Sequence, residues 1–251
     1  MGIATISRED GVTLAYEWLP GASPVVVFLP GFGSDMGGTK AMVLHAFCAV
    51  RGQAMLRLDY SGHGASGGAF IDGSIGIWTD DAAKVIAATC GAAPLIMVGS
   101  SMGGWIGLLL ARQLGARVAN LLLIAPAPDF TAELIEPSLG DAQRAALARD
   151  GQFAPPSEYG PPMPITAKLL DDGRNHLLLG GPIPVHCPVR ILHGMADPDV
   201  PWQQSLKLIE KLQSQDVQVV FIKDGDHRLS READLRLLER SLATLLNENG
   251  A

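Results

Sequence analysis

Leu95-Ile96-Met97-Val98-Gly99-Ser100-Ser101-Met102-Gly103-Gly104-Trp105-Ile106-Gly107-Leu108-Leu109-Leu110 begins as an apolar run of strand type and ends in an apolar pattern of helical period. Only Gly99 to Gly104 separate the two, and they contain G-x-S-x-G as Gly99-Ser100-Ser101-Met102-Gly103. So tight a turn from strand into helix forces its central residue into a strained backbone conformation and exposes its side chain. A Cβ at either flanking glycine would collide with the neighbouring strand or helix. Ser101 then stands just before a helix N-terminus, where free N–H groups and the helix dipole favour developing negative charge. This is the physical description of a nucleophile elbow. The bland alternative is a glycine-rich turn in a chain with 29 glycines.

Upstream of this stretch, residues 11–19 alternate apolar and polar side chains as an antiparallel strand does. Residues 24–29 form a continuous apolar run of the kind buried on both faces, and empty into Pro30-Gly31-Phe32-Gly33-Ser34-Asp35-Met36-Gly37-Gly38. A helical pattern over 39–50, a strand over 53–60 and a helix over 75–90 follow. Downstream come strands at 118–125, 187–192 and 217–222 and a closing amphipathic helix at 232–246. Strands alternating with helices predict one α/β domain over 1–251, with a mostly parallel central sheet, helices on both faces and a leading antiparallel strand. The alternation stops over about 126–184, where prolines multiply. An excursion of that length between sheet strands is expected to be a cap over the sheet's carboxyl edge, where ligands sit in open α/β sheets.

The strand at 187–192 runs into His193-Gly194-Met195-Ala196-Asp197-Pro198-Asp199, and the strand at 217–222 delivers Lys223-Asp224-Gly225-Asp226-His227. Ser101, Asp197 and His227 each lie just past a strand's carboxyl end, and their order is Ser…Asp…His. A serine hydroxyl is a poor nucleophile at neutral pH, so His227 must take its proton and later give it to a leaving group, while an acid fixes the imidazole. Asp199 is the alternative acid; Asp224 and Asp226 sit too close to His227 in sequence and read as turn-formers. An oxyanion needs two backbone donors, expected from the N–H of Met102 and that of Phe32. Met36, Trp105, Phe130 and Phe153, with Phe32 and Met102, are candidates for an apolar acyl pocket, against the plainer reading of core packing.

Composition excludes several classes. The balance of 19 basic against 26 acidic residues gives −7, which speaks against nucleic acid, and no basic run suggests an anionic membrane. Cys48, Cys90 and Cys187 are widely spaced and odd in number, as buried thiols in a reducing compartment are. Gly62-His63-Gly64-Ala65-Ser66-Gly67 matches G-x-G-x-x-G, but no helix opens within it. His45, His63, His176 and His186 lack metal-ligand spacing, and His193 reads as structural. No cofactor and no metal are therefore expected. No apolar run of about 18 residues predicts a membrane span and no signal peptide is evident, so the expected place is the cytoplasm.

These residues resemble the α/β-hydrolase superfamily. The likeness is carried by Pro30-Gly31-Phe32 with Gly38-Thr39-Lys40-Ala41, by Asp59-Tyr60-Ser61-Gly62 and by Gly99 to Trp105. It continues in Pro182-Ile183-Pro184-Val185, His193-Gly194-Met195, Val200-Pro201-Trp202 and Asp226-His227-Arg228, and so covers about 10–245. Within the superfamily the motifs are similar to those of palmitoyl-protein thioesterases and acyl-glucuronide esterases. The resemblance implies a Ser101–Asp197–His227 triad and acyl ester or thioester substrates, small or protein-linked. The middle of the cap, 130–175, departs from the pattern, and a start read as lacking a transit peptide leads to the expectation of a bacterial-type relative. The expectation from another class is a hydrolase-fold receptor that senses a small acyl ligand without turnover. The sequence leaves the acyl donor, the leaving group and the oligomeric state open.

Overall fold

Val25, Val27 and Leu29 project from one face of a strand and Val26 and Phe28 from the other, and all five are buried. Both faces of the sheet around them must therefore be covered. The computed structural model of the protein describes residues 2–155 and 162–248. Its strands begin with β1 (Ala4–Ser7), β2 (Thr13–Leu19), β3 (Ala22–Leu29), β4 (Gln53–Leu58), β5 (Leu95–Ser100) and β6 (Val118–Ile124). The two-residue β7 (Gln152–Phe153) and β8 (Ile165–Thr166) form a separate hairpin, and β9 (Val189–Gly194) and β10 (Val217–Ile222) complete the main sheet. The order of the eight main strands is β1-β2-β4-β3-β5-β6-β9-β10. β1 and β2 are antiparallel to their neighbours and the remaining pairs are parallel.

The helices are α1 (Thr39–Arg51), α2 (Ile75–Thr89), α3 (Met102–Leu114), the single turn α4 (Glu136–Ser138), α5 (Asp141–Asp150), α6 (Ala167–Gly173), α7 (Gln203–Lys211) and α8 (Glu232–Glu248). Ala41, Leu44 and Cys48 of α1 and Leu238, Leu242 and Leu245 of α8 bury their side chains against Val26, Phe28, Val98 and Ile124. Trp78 and Val85 of α2, Trp105 and Leu109 of α3 and Leu208 of α7 cover the other face, against Val27, Leu29, Met97 and Leu123. The alternation along β3 thus splits the core into two layers, as the doubly covered apolar run requires.

Three elements differ from the sequence reading. β1 is only four residues long and mostly exposed, so its register against β2, not its composition, makes it a strand. α7 opens with the polar Gln203-Gln204-Ser205 and is fixed by burial of Leu208. The strand expected at 187–192 begins instead at Val189, because Pro188 has no N–H to give a ladder.

Between β6 and β9 the chain makes a π-type turn over Thr131–Ile135, then α4, α5, the β7–β8 hairpin and α6; residues 156–161 lie outside the described residues. Polar ties dock this segment. Asp129, buried and at φ 57°, accepts the N–H groups of Leu178 and Leu179 at 2.8 and 2.7 Å. Asp172 accepts the Gly76 N–H at 2.8 Å, and the Trp105 indole donates to the His176 carbonyl at 3.1 Å. Removing the Asp129 carboxylate would leave two N–H groups without an acceptor. Asp129→Ala is therefore expected to cost about 2–4 kcal/mol in urea unfolding and to speed proteolysis within 126–184.

Candidate active site

Ser101 follows the last residue of β5 and precedes the first of α3, with φ 54° and ψ −119°. A Cβ on Gly99 would lie 2.4 Å from the Gly103 carbonyl oxygen, and one on Gly103 would lie 2.1 Å from that of Leu29. Both flanking positions therefore admit only glycine. The strained backbone is held on each side: the Ser101 N–H donates to Ile124 O at 2.9 Å, and its own carbonyl accepts Gly104 N–H at 2.8 Å and Ala127 N–H at 3.2 Å.

The structure brings Ser101, His227 and Asp197 together. His227 Nε2 is 3.1 Å from Ser101 Oγ and Nδ1 is 2.7 Å from Asp197 Oδ2. Both contacts fit one tautomer, with Nδ1–H donating to the carboxylate and Nε2 free to accept the serine proton. Asp197 Oδ1 accepts the N–H groups of Asp199 and Val200 at 2.9 and 2.8 Å. Asp199 thus supports Asp197 through its backbone, and its own side chain is exposed. Asp197, Asp199 and His227 are also the one group among the described residues whose side chains could converge on a cation.

His193, read from sequence as a plain strand-end residue, proves to be Asp197's neighbour. Its Nδ1 accepts the Ser205 hydroxyl at 2.7 Å, its Nε2–H donates to Val200 O at 2.9 Å, and Nε2 lies 3.4 Å from Asp197 Oδ2. Burial pushes the Asp197 carboxyl up, but hydrogen bonds from His193 and His227 and the Val200 N–H outweigh it and hold the group far below the usual carboxylate range. Asp197 consequently stays ionised at any pH the protein meets. Asp226 does form a turn, accepting the Leu229 N–H at 2.8 Å.

The loop after β3 carries Phe32 and is fastened to the end of β4. The Tyr60 hydroxyl donates to Pro30 O at 3.2 Å, Gly33 N–H donates to His63 Nε2 at 3.3 Å, and Met36 N–H donates to Asp59 Oδ1 at 2.7 Å. The buried Arg57 guanidinium donates to Met36 O. His63 was set aside in the sequence as part of a decoy glycine pattern. Burial lowers its pKa, which keeps Nε2 able to accept. Its ring also packs on Phe70 and Trp78, at 4.9 and 5.0 Å between centroids.

Ser101 and His227 open on a cavity of about 690 Å³. Its apolar lining comes from Phe32, Pro155, Met163 and Ile165, and its polar lining includes Ser34, Thr39, Lys40 and Arg228. The acyl-pocket candidates need correction. Met36, Trp105, Phe130 and Phe153 are not among the residues lining this cavity. Trp105 and Phe130 stack edge to face at 5.6 Å behind Phe32, Met36 is buried against β4, and Phe153 packs into the core from β7. Met163 takes the expected place over the loop, within 3.4 Å of where a Gly33 Cβ would stand. An isolated methionine in a proline-rich segment carries no periodic signal, so sequence gave no means of finding it.

The family described as serine aminopeptidase, S33, matches residues 21–168. The mouse mitochondrial palmitoyl-protein thioesterase ABHD10 is 36% identical over 98% of this chain and 83% of its own. The chain belongs to the α/β-hydrolases. Among solved structures, a putative hydrolase from Agrobacterium vitis S4 superimposes with a TM-score of 0.92 at 45% identity, covering 97% of both chains. The mouse α/β-hydrolase domain-containing protein 10 gives a TM-score of 0.91 at 35% identity, covering 99% of both. This α/β-hydrolase is accordingly an enzyme of the esterase and thioesterase class. The cytoplasmic expectation is corrected, because the curated relatives matched over 98% of the chain are named as mitochondrial. Among the described residues no helix is long and apolar enough to cross a membrane.

His63→Phe keeps an aromatic ring against Phe70 and Trp78 but removes the acceptor for Gly33 N–H. It is expected to lower kcat for ester hydrolysis about tenfold to a hundredfold, below the cost of deleting an oxyanion donor outright. Steady-state kinetics with KM changed less than twofold would bear this out.

Proposed function

We propose that the protein cleaves acyl esters or thioesters through a covalent acyl-enzyme on Ser101. The observation that carries this reading is the relay from Ser101 Oγ to His227 Nε2 at 3.1 Å and from His227 Nδ1 to Asp197 at 2.7 Å. His227 takes the hydroxyl proton as Ser101 attacks the acyl carbon, and gives it to the leaving thiol or alcohol as that bond breaks. Asp197 holds the tautomer and stabilises the imidazolium. Water, deprotonated by the same His227, then releases the acid and restores the serine.

The negative oxygen of each tetrahedral intermediate is received by the N–H groups of Met102 and Phe32. Met102 is the first residue of α3, where N–H groups have no partner within the helix and the dipole favours an anion. Phe32 lies in the loop that Tyr60, His63 and Asp59 fasten to β4. The chain is read as one domain with residues 126–184 as its cap. The acyl chain then lies against Pro155, Met163 and Ile165, three residues of that cap. The relatives named palmitoyl-protein thioesterases support a long acyl chain on a thiol, protein-linked or small.

Ser101→Ala is expected to reduce kcat about 10⁶-fold, since triad members act as a unit, and to abolish labelling by a fluorophosphonate. Asp197→Asn should cost about 10⁴-fold by favouring the wrong tautomer. A thioester series from short to long acyl chains, read by thiol release, should show kcat/KM rising with chain length. Turnover by Ser101→Ala comparable to the unmodified protein would end the proposal.

A further inference from the structure

Donors crowd both oxygens of Asp197. Its Oδ1 takes the N–H groups of Asp199 and Val200 at 2.9 and 2.8 Å, while Oδ2 takes His227 Nδ1 at 2.7 Å and has His193 Nε2 at 3.4 Å. A second imidazole on the oxygen that serves His227 is more than a triad needs. The Val200 carbonyl can only accept, so the His193 proton stands on Nε2, and Nδ1 receives the Ser205 hydroxyl. One Nε2–H is thus shared between Val200 O at 2.9 Å and Asp197 Oδ2 at 3.4 Å. Both side chains are fully buried, so water does not compete for the contact.

The surroundings of His193 hold it to this contact. It is the penultimate residue of β9, and its ring spans the loop 194–199 to reach Val200. Val200 is gripped twice, its N–H by Asp197 and its carbonyl by His193. Ser205, fully buried in the first turn of α7, fixes the other ring nitrogen, which accounts for the polar opening of that helix. A carboxylate whose charge is drawn on by an extra donor attracts an imidazolium less strongly. We infer that His193 is a positioning residue: its shared Nε2–H holds Asp197 Oδ2 toward His227 and limits how firmly that carboxylate retains the protonated His227. His227 is thereby kept ready to accept the Ser101 proton in mildly acid solution. The inference rests on the serine mechanism proposed above. The other charged groups around His227 are Asp199, Asp226, Arg228 and the Lys40 amine on the Arg228 carbonyl, and a change at His193 leaves all of them in place.

The test reads the acid limb of the pH profile of kcat/KM, which reports the essential base of the free enzyme, with p-nitrophenyl butyrate as substrate. His193→Phe keeps a ring in the buried site but has no donor, whereas His193→Gln keeps an N–H donor. The midpoint of the limb is expected to rise by about 0.5–1 pH unit in His193→Phe, and to stay near that of the unmodified protein in His193→Gln. A loss of packing alone would lower the plateau and leave the midpoint where it is. A midpoint that falls in His193→Phe, or moves equally in both variants, or in neither, overturns the inference. Where His193→Phe fails to fold, the nitrogen-15 resonances of the histidines in the unmodified protein decide. A proton on His193 Nε2 supports the sharing, and a bare Nε2 overturns it. This measurement needs no turnover, so it stands apart from the serine mechanism, whose own failure would show as undiminished activity in Ser101→Ala.

Discussion

The constraint on which the site depends is the backbone crowding at the end of β5. With φ 54° at Ser101, the chain leaves the sheet and enters α3 without a loop. That geometry survives because it is over-determined. β6 takes the Ser101 N–H, α3 and Ala127 take its carbonyl, and Gly99 and Gly103 leave no room for a larger residue between strand, helix and the end of β3. The same crowding points a hydroxyl out of the sheet and puts the first N–H groups of α3 beneath it. The proposed nucleophile and part of its proposed oxyanion site are thus two consequences of one tight turn.

The electrostatics around the turn are arranged in layers. Asp197 is removed from water but surrounded by donors: two backbone N–H groups, the imidazole of His227 and the nearby His193. His193 in turn is fixed by Ser205 and Val200 O, which assigns its proton to Nε2. The carboxylate therefore needs no counter-cation. The cations that line the cavity, Lys40 and Arg228, stand apart from it.

Much of this was legible in the sequence because it is local or periodic. The elbow announces itself by a strand run, five residues and a helical period, and the residues past β9 and β10 follow from chain order alone. What could not be read has a common character. β1 is a strand only by pairing, and α7 is a helix whose first turn is polar. His63 and His193 act through partners 30 and 12 residues away, and no spacing rule connects such positions. The wall of the cavity was misread for a different reason. Large aromatic residues draw attention in a sequence, yet Trp105 and Phe130 spend their surface on one another, and a lone methionine fills the opening.

The loop bearing Phe32 owes its place to β4: to Arg57, Asp59, Tyr60 and His63, none of which belongs to the segment between β6 and β9. That segment stands on separate anchors, at Asp129, Asp172 and Trp105. The two parts still touch, through the Ala127 N–H on the Ser101 carbonyl and through Phe130 against Phe32. Sequence drift is therefore absorbed most easily beyond Phe130, away from the two residues of the segment that hold Ser101 and Phe32, and that stretch is the part open to evolution and to protein engineers.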